Sequence, residues 1–453
     1  MHTLRLHWRQ PDGGEQRGWD AVEESRVSQP GPREVRFCPR CGQARTGSAR
    51  CESCGWDFDA AAARVSATAA RRPRRVWLGI SSCGGLGCFG VLSACVILLL
   101  VLSIPNPIAL GLSTIAAVVP AIGYSLIVLY IDRYEAEPWY TLLGAFLWGA
   151  VVAVVFSVIL ELIADSIVFA AYGPEASEFI GLAVTAPIVE ELTKGAALVV
   201  LLIAFRNEFD DVLDGIVYGA LVGLGFAMTE NILYFGAVFL EEGIVGLGVL
   251  FVLRVVLGGF AHALYTGTTG AALGWARSQY GRGALRVLVP LGGLLLAILQ
   301  HALWNGTAYY LAENTGDDAS WSELLLIFLF EPAAFLLPPL ITVAIIAEVA
   351  NRRQLRIIRE QLSDEVARGT LTGSALVTLS DARLRRRASR TAFTSGNLER
   401  WSTQRRFMQI ASDLAYQKYH RSRGETHRRG LRRRTDDQLR RELRQLGAQL
   451  SNP

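Results

Sequence analysis

Between Ile80 and Ile104 the chain runs without a single charged side chain, and seven more long apolar runs follow it. About 20 such residues are enough to cross the hydrocarbon core of a bilayer. No water is available there to satisfy backbone N–H and C=O groups, so runs of this length must close their hydrogen bonds internally, as helices. The expectation is therefore an all-α, polytopic membrane bundle of about eight transmembrane helices, at 78–104, 108–131, 141–170, 178–205, 212–239, 245–276, 287–312 and 323–349. A hydrophobic content of 51% in 453 residues agrees with that reading.

The loops between these runs alternate in charge. One set carries Arg71–Arg75, Arg133, Arg206, Arg277 with Arg282 and Arg286, and Arg352 with Arg353, while the other set holds no Lys or Arg at all. Basic loops stay on the cytoplasmic side. A multi-pass protein of the plasma membrane with both termini cytoplasmic is expected. The opening MHTLRLHWRQPDGG has no apolar core behind its positive residues, so no cleavable signal peptide is expected.

Outside the spans, residues 1–36 are polar, show no period and are expected to be disordered. Residues 37–57 hold two CxxCG knuckles, Cys38/Cys41 and Cys51/Cys54. That spacing is suited to a structural zinc ribbon with four thiolates around one ion. A disulfide pair is the rival, but thiols ahead of an unexported span stay in a reducing compartment. Cys83, Cys88 and Cys95 sit among Gly and Ser in the first span and read as small packing residues. A linker, 58–77, leads to the membrane core at 78–349.

The region 350–453 is a basic cytosolic helical tail, with about two dozen basic side chains against ten acidic. Stretches such as LRRRTDDQLRRELRQLGAQL read as solvated helix, with anionic lipid headgroups as the alternative contact. The tail has few aromatics and no binding motif, so no nucleic-acid partner is expected. A cytosolic protein partner for the ribbon or the tail remains open.

Chemistry enters where the apolar pattern breaks. Glu190, Glu191 and Lys194 interrupt the fourth span, and Glu230 with Asn231 the fifth; His262 and His301 lie in the sixth and seventh. An ionisable group at mid-bilayer costs roughly 2.5–3.5 kcal/mol on insertion scales, so such residues face a functional interior. At about 1.5 Å per residue, Glu190 lies roughly 18 Å into its span, and His301 is as deep from the opposite side. Four groups at one level on consecutive helices can converge on a buried hydrolytic site.

Within that site a Glu–Lys pair can form on one helix face, since Lys194 stands four residues after Glu190 and three after Glu191. The other glutamate is then free to act as general base. Asn305, four residues after His301, can orient that histidine or stabilise an oxyanion. Asp214 reads as a helix start and Arg254 as the partner of an acidic loop residue. Thr266 is too common a type to assign. Glu161, Asp165 and Glu331 fall toward span ends, within reach of the interface.

The run EELTK (Glu190–Lys194), then FAMTEN (Phe226–Asn231), His262 and HALWN (His301–Asn305) resembles the PrsW family of membrane-embedded proteases. DRYEAEPWY (Asp132–Tyr140) is similar to that family's approach to its core. The wider group includes the CaaX-processing and bacteriocin-immunity proteases, with the pattern EExxR, FxxxH and HxxxN. This chain has Lys194 where that group has Arg and Glu230 where it has His, and both departures suit the PrsW branch.

The resemblance, over about 107–349, implies a metalloprotease that cuts membrane-anchored regulatory proteins such as anti-sigma factors. It implies that Glu190 and Glu191 activate water, while Glu230, His262 and His301 hold a metal or the scissile carbonyl. Two histidines and a carboxylate are a known catalytic zinc set. A metal-free route, with a glutamate base and oxyanion donors from histidine and asparagine, remains open beside it. The rivals to an enzyme are a catalytically silent scaffold and a proton-coupled transporter. No internal repeat supports the transporter.

Overall fold

Apolar helices with no polar face leave their side chains pointing outward, and that is what the chain does. In this computed structural model, which describes residues 90–131, 134, 137–206, 208–278, 283–314, 329–330, 332–395, 397–422 and 434–451, every regular element is helical. Ile203 is 75% exposed and Leu99 69%, while Glu191 and Lys194 are fully buried. An apolar outside around a charged inside is the arrangement lipid demands. Residues 1–36, the ribbon cysteines Cys38, Cys41, Cys51 and Cys54, the linker 58–77, Cys83, Cys88 and Glu331 lie outside the described residues.

The bundle begins with α1 (Gly90–Leu102) and α2 (Pro107–Ile131). Helix α3 (Trp139–Tyr172) contains a π turn at Trp148–Ala153. Helix α4 covers 174–204 as Pro174–Ile180, a π turn at Gly181–Thr185, and Ala186–Ala204. After α5 (Val212–Phe251) and a third π turn (Val252–Leu257) come α6 (Ala261–Ser278) and α7 (Leu285–Asn314). A fourth π turn (Pro332–Leu336) opens α8 (Leu337–Ala367). Four helices complete the chain: α9 (Gly373–Leu379), α10 (Ala382–Thr394), α11 (Leu398–Ser422) and α12 (Asp436–Ser451).

Among the described residues five segments are long and apolar enough to cross a membrane, and one of them, Val212–Ser278, is 67 residues long. Drawn straight it would run about 100 Å, some three times the hydrocarbon thickness. It turns back instead at Gly243, whose φ of 69° suits glycine. The expected fifth and sixth spans are thus the two arms of one helical hairpin. Helix α4 is less apolar than these five because it carries the site's own charges, Glu190, Glu191 and Lys194. Asp211 caps α5, accepting from Leu213 N and Asp214 N, and Asp214 Oδ2 accepts from Asp210 N and Asp211 N. Asp214 is therefore the helix-start residue its position suggested.

The two arms approach closely enough for backbones to touch. A Cβ placed on Gly215, Gly219 or Gly223 would stand 2.0, 2.4 or 2.2 Å from the carbonyl oxygen of Gly270, Thr266 or His262. Each of these residue pairs sums to 485, a single antiparallel register, and glycine every fourth residue is what permits it. His262 is held against α5 by this contact. Gly223→Val is therefore expected to separate the helices and lower the midpoint of thermal unfolding in detergent, costing about 1–3 kcal/mol.

Helix α8 continues past the bundle into a second core. Leu355, Ile358 and Leu362 pack there with Ile410, Ala411 and Leu414 of α11 and Leu439, Leu443 and Leu446 of α12. The stretch expected to be a solvated helix is thus amphipathic and packed. Arg421 also forks onto Asp436 at 2.8 Å through both Nη atoms and holds that carboxyl below its usual range. Tyr134, three residues beyond the end of α2, is buried in the same core, and His420 lies 3.3 Å from Asp210 before α5.

Candidate active site

Glu190, Glu191 and Lys194 lie on one turn-and-a-bit of α4, and all three are buried. The turn is fixed from α3: Trp148 Nε1 donates to Thr193 O at 3.3 Å, and the Ser157 and Thr193 hydroxyls are 2.8 Å apart. Lys194 Nζ donates to Glu190 Oε2 at 2.8 Å, to Glu191 Oε1 at 2.9 Å and to His262 Nδ1 at 2.9 Å. Its three protons are then used, and Phe226 lies beneath it with the ring centre 3.9 Å away. Both glutamates pair with the lysine, where sequence spacing left one of them free.

The imidazoles are oriented by what surrounds them. Since His262 Nδ1 accepts from Lys194, its Nε2 carries the proton, and it lies 3.1 Å from Glu230 Oε2. His301 Nδ1 meets Glu191 Oε1 at 3.2 Å, which leaves Nε2 on the side of Glu190 Oε2, 3.9 Å distant. Tyr265 stacks on His301 with centroids 5.0 Å apart, fixing the ring plane. Glu191 Oε2 accepts from Thr266 at 3.0 Å. Glu191 therefore holds its neighbours in place, with both of its oxygens already bonded.

Glu190 is placed differently. Together with His262 and His301 it borders a cavity of about 1440 Å³, as do Glu161, Asp165 and Arg254. Glu191 and Lys194 are not among the residues that line it. A carboxylate and two imidazoles facing one hollow, with a fixed ammonium behind them, can take a proton from water and return it to a leaving amine.

Two expected members line the cavity but take other partners. The Asn305 amide donates to Leu182 O at 3.1 Å, in the π turn of α4, so it ties α7 to α4. Glu230 lies beside His262, with Arg254 Nη2 2.6 Å from its Oε2. The tightest group of ligand-type atoms has Glu190 and Glu191 beside the two histidines.

Sequence reasoning missed several contributors. Arg254, assigned there to an acidic loop, turns inward from its π turn to bind Glu230 and Asn231. Its unusual depth in an apolar run was the available signal. Thr266 has no signature that sets it apart from any hydroxyl packed between helices. Glu161 and Asp165 line the cavity, and Glu161 Oε1 and Asp165 Oδ1 are buried without a hydrogen-bond partner.

Glu190, Glu191, His262 and His301 can each offer one atom, all within 4.8 Å of one another. On a tetrahedral ion with bonds near 2.0–2.1 Å, neighbouring ligand atoms lie about 3.4 Å apart. Glu190 Oε2 is 3.9 Å from both His262 Nδ1 and His301 Nε2, so these three suit such an ion in type and would have to draw in slightly to hold it. Lys194 competes for two of the same lone pairs.

The fold and the site together define a class: an α-helical membrane protein with a buried carboxylate–imidazole cluster opening on an internal cavity. The sequence model of the PrsW family intramembrane metalloproteases matches residues 137–336, which hold every member of that cluster. Protease PrsW of Geobacillus kaustophilus (strain HTA426) is 35% identical over 162 residues, covering 36% of this chain and 65% of that protein. Protease PrsW of Clostridioides difficile (strain 630) is 31% identical over 175 residues, covering 38% and 69%. The chain thus spans just under two thirds of the first relative and slightly more of the second. No solved structure matches it. The chain belongs to the PrsW family of intramembrane metalloproteases.

Proposed function

We propose that this protein hydrolyses peptide bonds of membrane-anchored regulatory proteins, of the anti-sigma-factor kind, inside the bilayer. The observation that carries the proposal is the asymmetry of the glutamate pair: Glu190 faces the cavity while Glu191 is enclosed by Lys194, His301 and Thr266. Glu190 takes the proton from a water that the cavity admits. His301, held by Glu191, presents Nε2 to the reacting carbonyl or leaving group, and His262 keeps its place between Lys194 and Glu230. The relatives' names describe proteases, and family membership supports the same chemistry here.

In a metal-assisted form of the site, Glu190, His262 and His301 would hold a divalent ion, zinc by the chemistry of the set, in place of the Lys194 bonds to Glu190 and His262. When bound it would polarise the carbonyl and acidify the water. For the rest of the architecture we propose what the sequence leads one to expect: eight spans, both termini cytoplasmic, a zinc ribbon at Cys38, Cys41, Cys51 and Cys54, and a ribbon or tail available to a cytosolic partner.

The test is cleavage of a candidate membrane-anchored substrate by purified protein and by Glu190→Gln and His301→Ala, each checked for folding. Cleavage surviving in both variants would remove the protease reading. Elemental analysis addresses the metals separately. The ribbon accounts for about one zinc and an ion-dependent site raises this to about two, the second lost in His301→Ala. A content of one, abolished by changing Cys38 and Cys41 to Ser, assigns the core chemistry to the side chains alone.

A further inference from the structure

Several of the tail's basic side chains face acidic neighbours: Arg440 binds Glu365, Arg421 binds Asp436, and Arg406 and Arg434 bind Glu442. Helix α10 takes part in none of these pairs. Its sequence, ARLRRRASRTAFT, contains no acidic residue, and Arg385 alone turns inward, to Leu379 O and over the ring of Tyr134. Arg383, Arg387 and Arg390 share one exposed face at helical spacing, with Arg386 beside them. No carboxylate of the described residues forms an ion pair with these four; Asp381 is occupied as the helix cap, and Glu399 is the nearest other acid in sequence.

The tip of the α10–α11 hairpin adds an apolar feature. Phe393 is 58% exposed and Leu398 68%, and Phe393 meets Trp401 edge-on at 5.8 Å, with Arg405 lying over the indole. Arginines around an exposed aromatic and aliphatic tip are the composition of elements that rest in a membrane interface. The place in the fold agrees. Arg385 is 5.0 Å from the ring of Tyr134, three residues past the end of the apolar helix α2. Helix α10 thus begins near the level where that helix leaves the hydrocarbon, within reach of a surface field that decays over about 8–10 Å.

We propose that the α10–α11 hairpin is a membrane-surface anchor. Arg383, Arg386, Arg387 and Arg390 bind the phosphates of anionic lipids in the leaflet beside the bundle, and Phe393, Leu398 and Trp401 seat the tip among the headgroups. The stretch 431–450 suits this role less where it is described, since α12 carries Asp436, Asp437 and Glu442 among its arginines, turns Arg440 to Glu365 and packs its leucines in the tail core. The assignment is independent of the protease reading.

Hydrogen exchange on the full chain in lipid nanodiscs tests it. In discs of equal parts phosphatidylcholine and phosphatidylglycerol, the amides of 382–394 are expected to exchange at least about tenfold more slowly than in phosphatidylcholine alone, while α12 is unchanged. High salt should reverse the difference in the parent protein, a result that needs no variant to fold. The quadruple variant R383Q/R386Q/R387Q/R390Q should lose it while keeping the protection of α11 and α12. Equal exchange in the two discs, or slowing that persists in the quadruple variant, would overturn the proposal. So would the same slowing produced by inorganic phosphate in neutral discs, which would make this a soluble-anion site.

Discussion

Glu190→Gln is expected to lower the rate of substrate cleavage by about 10³-fold while leaving the fold intact. The amide keeps the size of the carboxylate and can still accept from Lys194, but it cannot take a proton from water. Positioned general bases contribute about 10²–10⁴-fold, and Glu190 is the glutamate of the pair that lines the cavity. Glu191→Gln tests a different role. It weakens the hold on His301 Nδ1 and on Thr266 without removing the base, so its loss should be smaller, about 10–100-fold. Equal effects of the two substitutions would contradict the division of labour.

The largest effect on stability is expected from Lys194→Met. Its ammonium is fully buried and neutralises two carboxylates, at 2.8 and 2.9 Å, besides bonding His262. Removing one partner of a buried ion pair typically costs 3–5 kcal/mol, because the remaining charge has no solvent. Here two charges would remain. The triple variant Glu190→Gln, Glu191→Gln, Lys194→Met, read by thermal unfolding in the same detergent, should regain much of that stability and show no activity. If Lys194→Met alone is as stable as the parent, the lysine is not the electrostatic centre of the site.

How much of this was legible in the chain follows from the kind of signal each residue gives. A charge in an apolar run is conspicuous because lipid penalises it, so Glu190, Glu191, Lys194, Glu230, His262 and His301 stood out, and the structure brings all six together. Arg254 gives the same signal, but by sequence its place in the outer half of its run suits a partner in the acidic loop equally well. Thr266 gave none, for a hydroxyl costs little in a helix and its meaning depends wholly on what faces it. Spacing alone could not divide the glutamates, since i,i+3 and i,i+4 both reach a lysine and here both do.

The fold shows the same division. Hydrophobic length required helices, and loop charge suggested their alternation, because both act through the solvent and need no knowledge of neighbours. The glycines at 215, 219 and 223 were visible as a pattern, yet only packing showed that they let α5 meet the carbonyls of α6 and so deliver His262 to Lys194. By itself the sequence determined that the chain is a helical membrane bundle with ionisable groups inside, since the bilayer allows no other answer for such runs. The tertiary structure alone decided which glutamate meets the cavity, which cation neutralises which carboxylate, and which arginine of α10 turns inward. Those outcomes rest on contacts between residues far apart in the chain, whose distances no local pattern encodes.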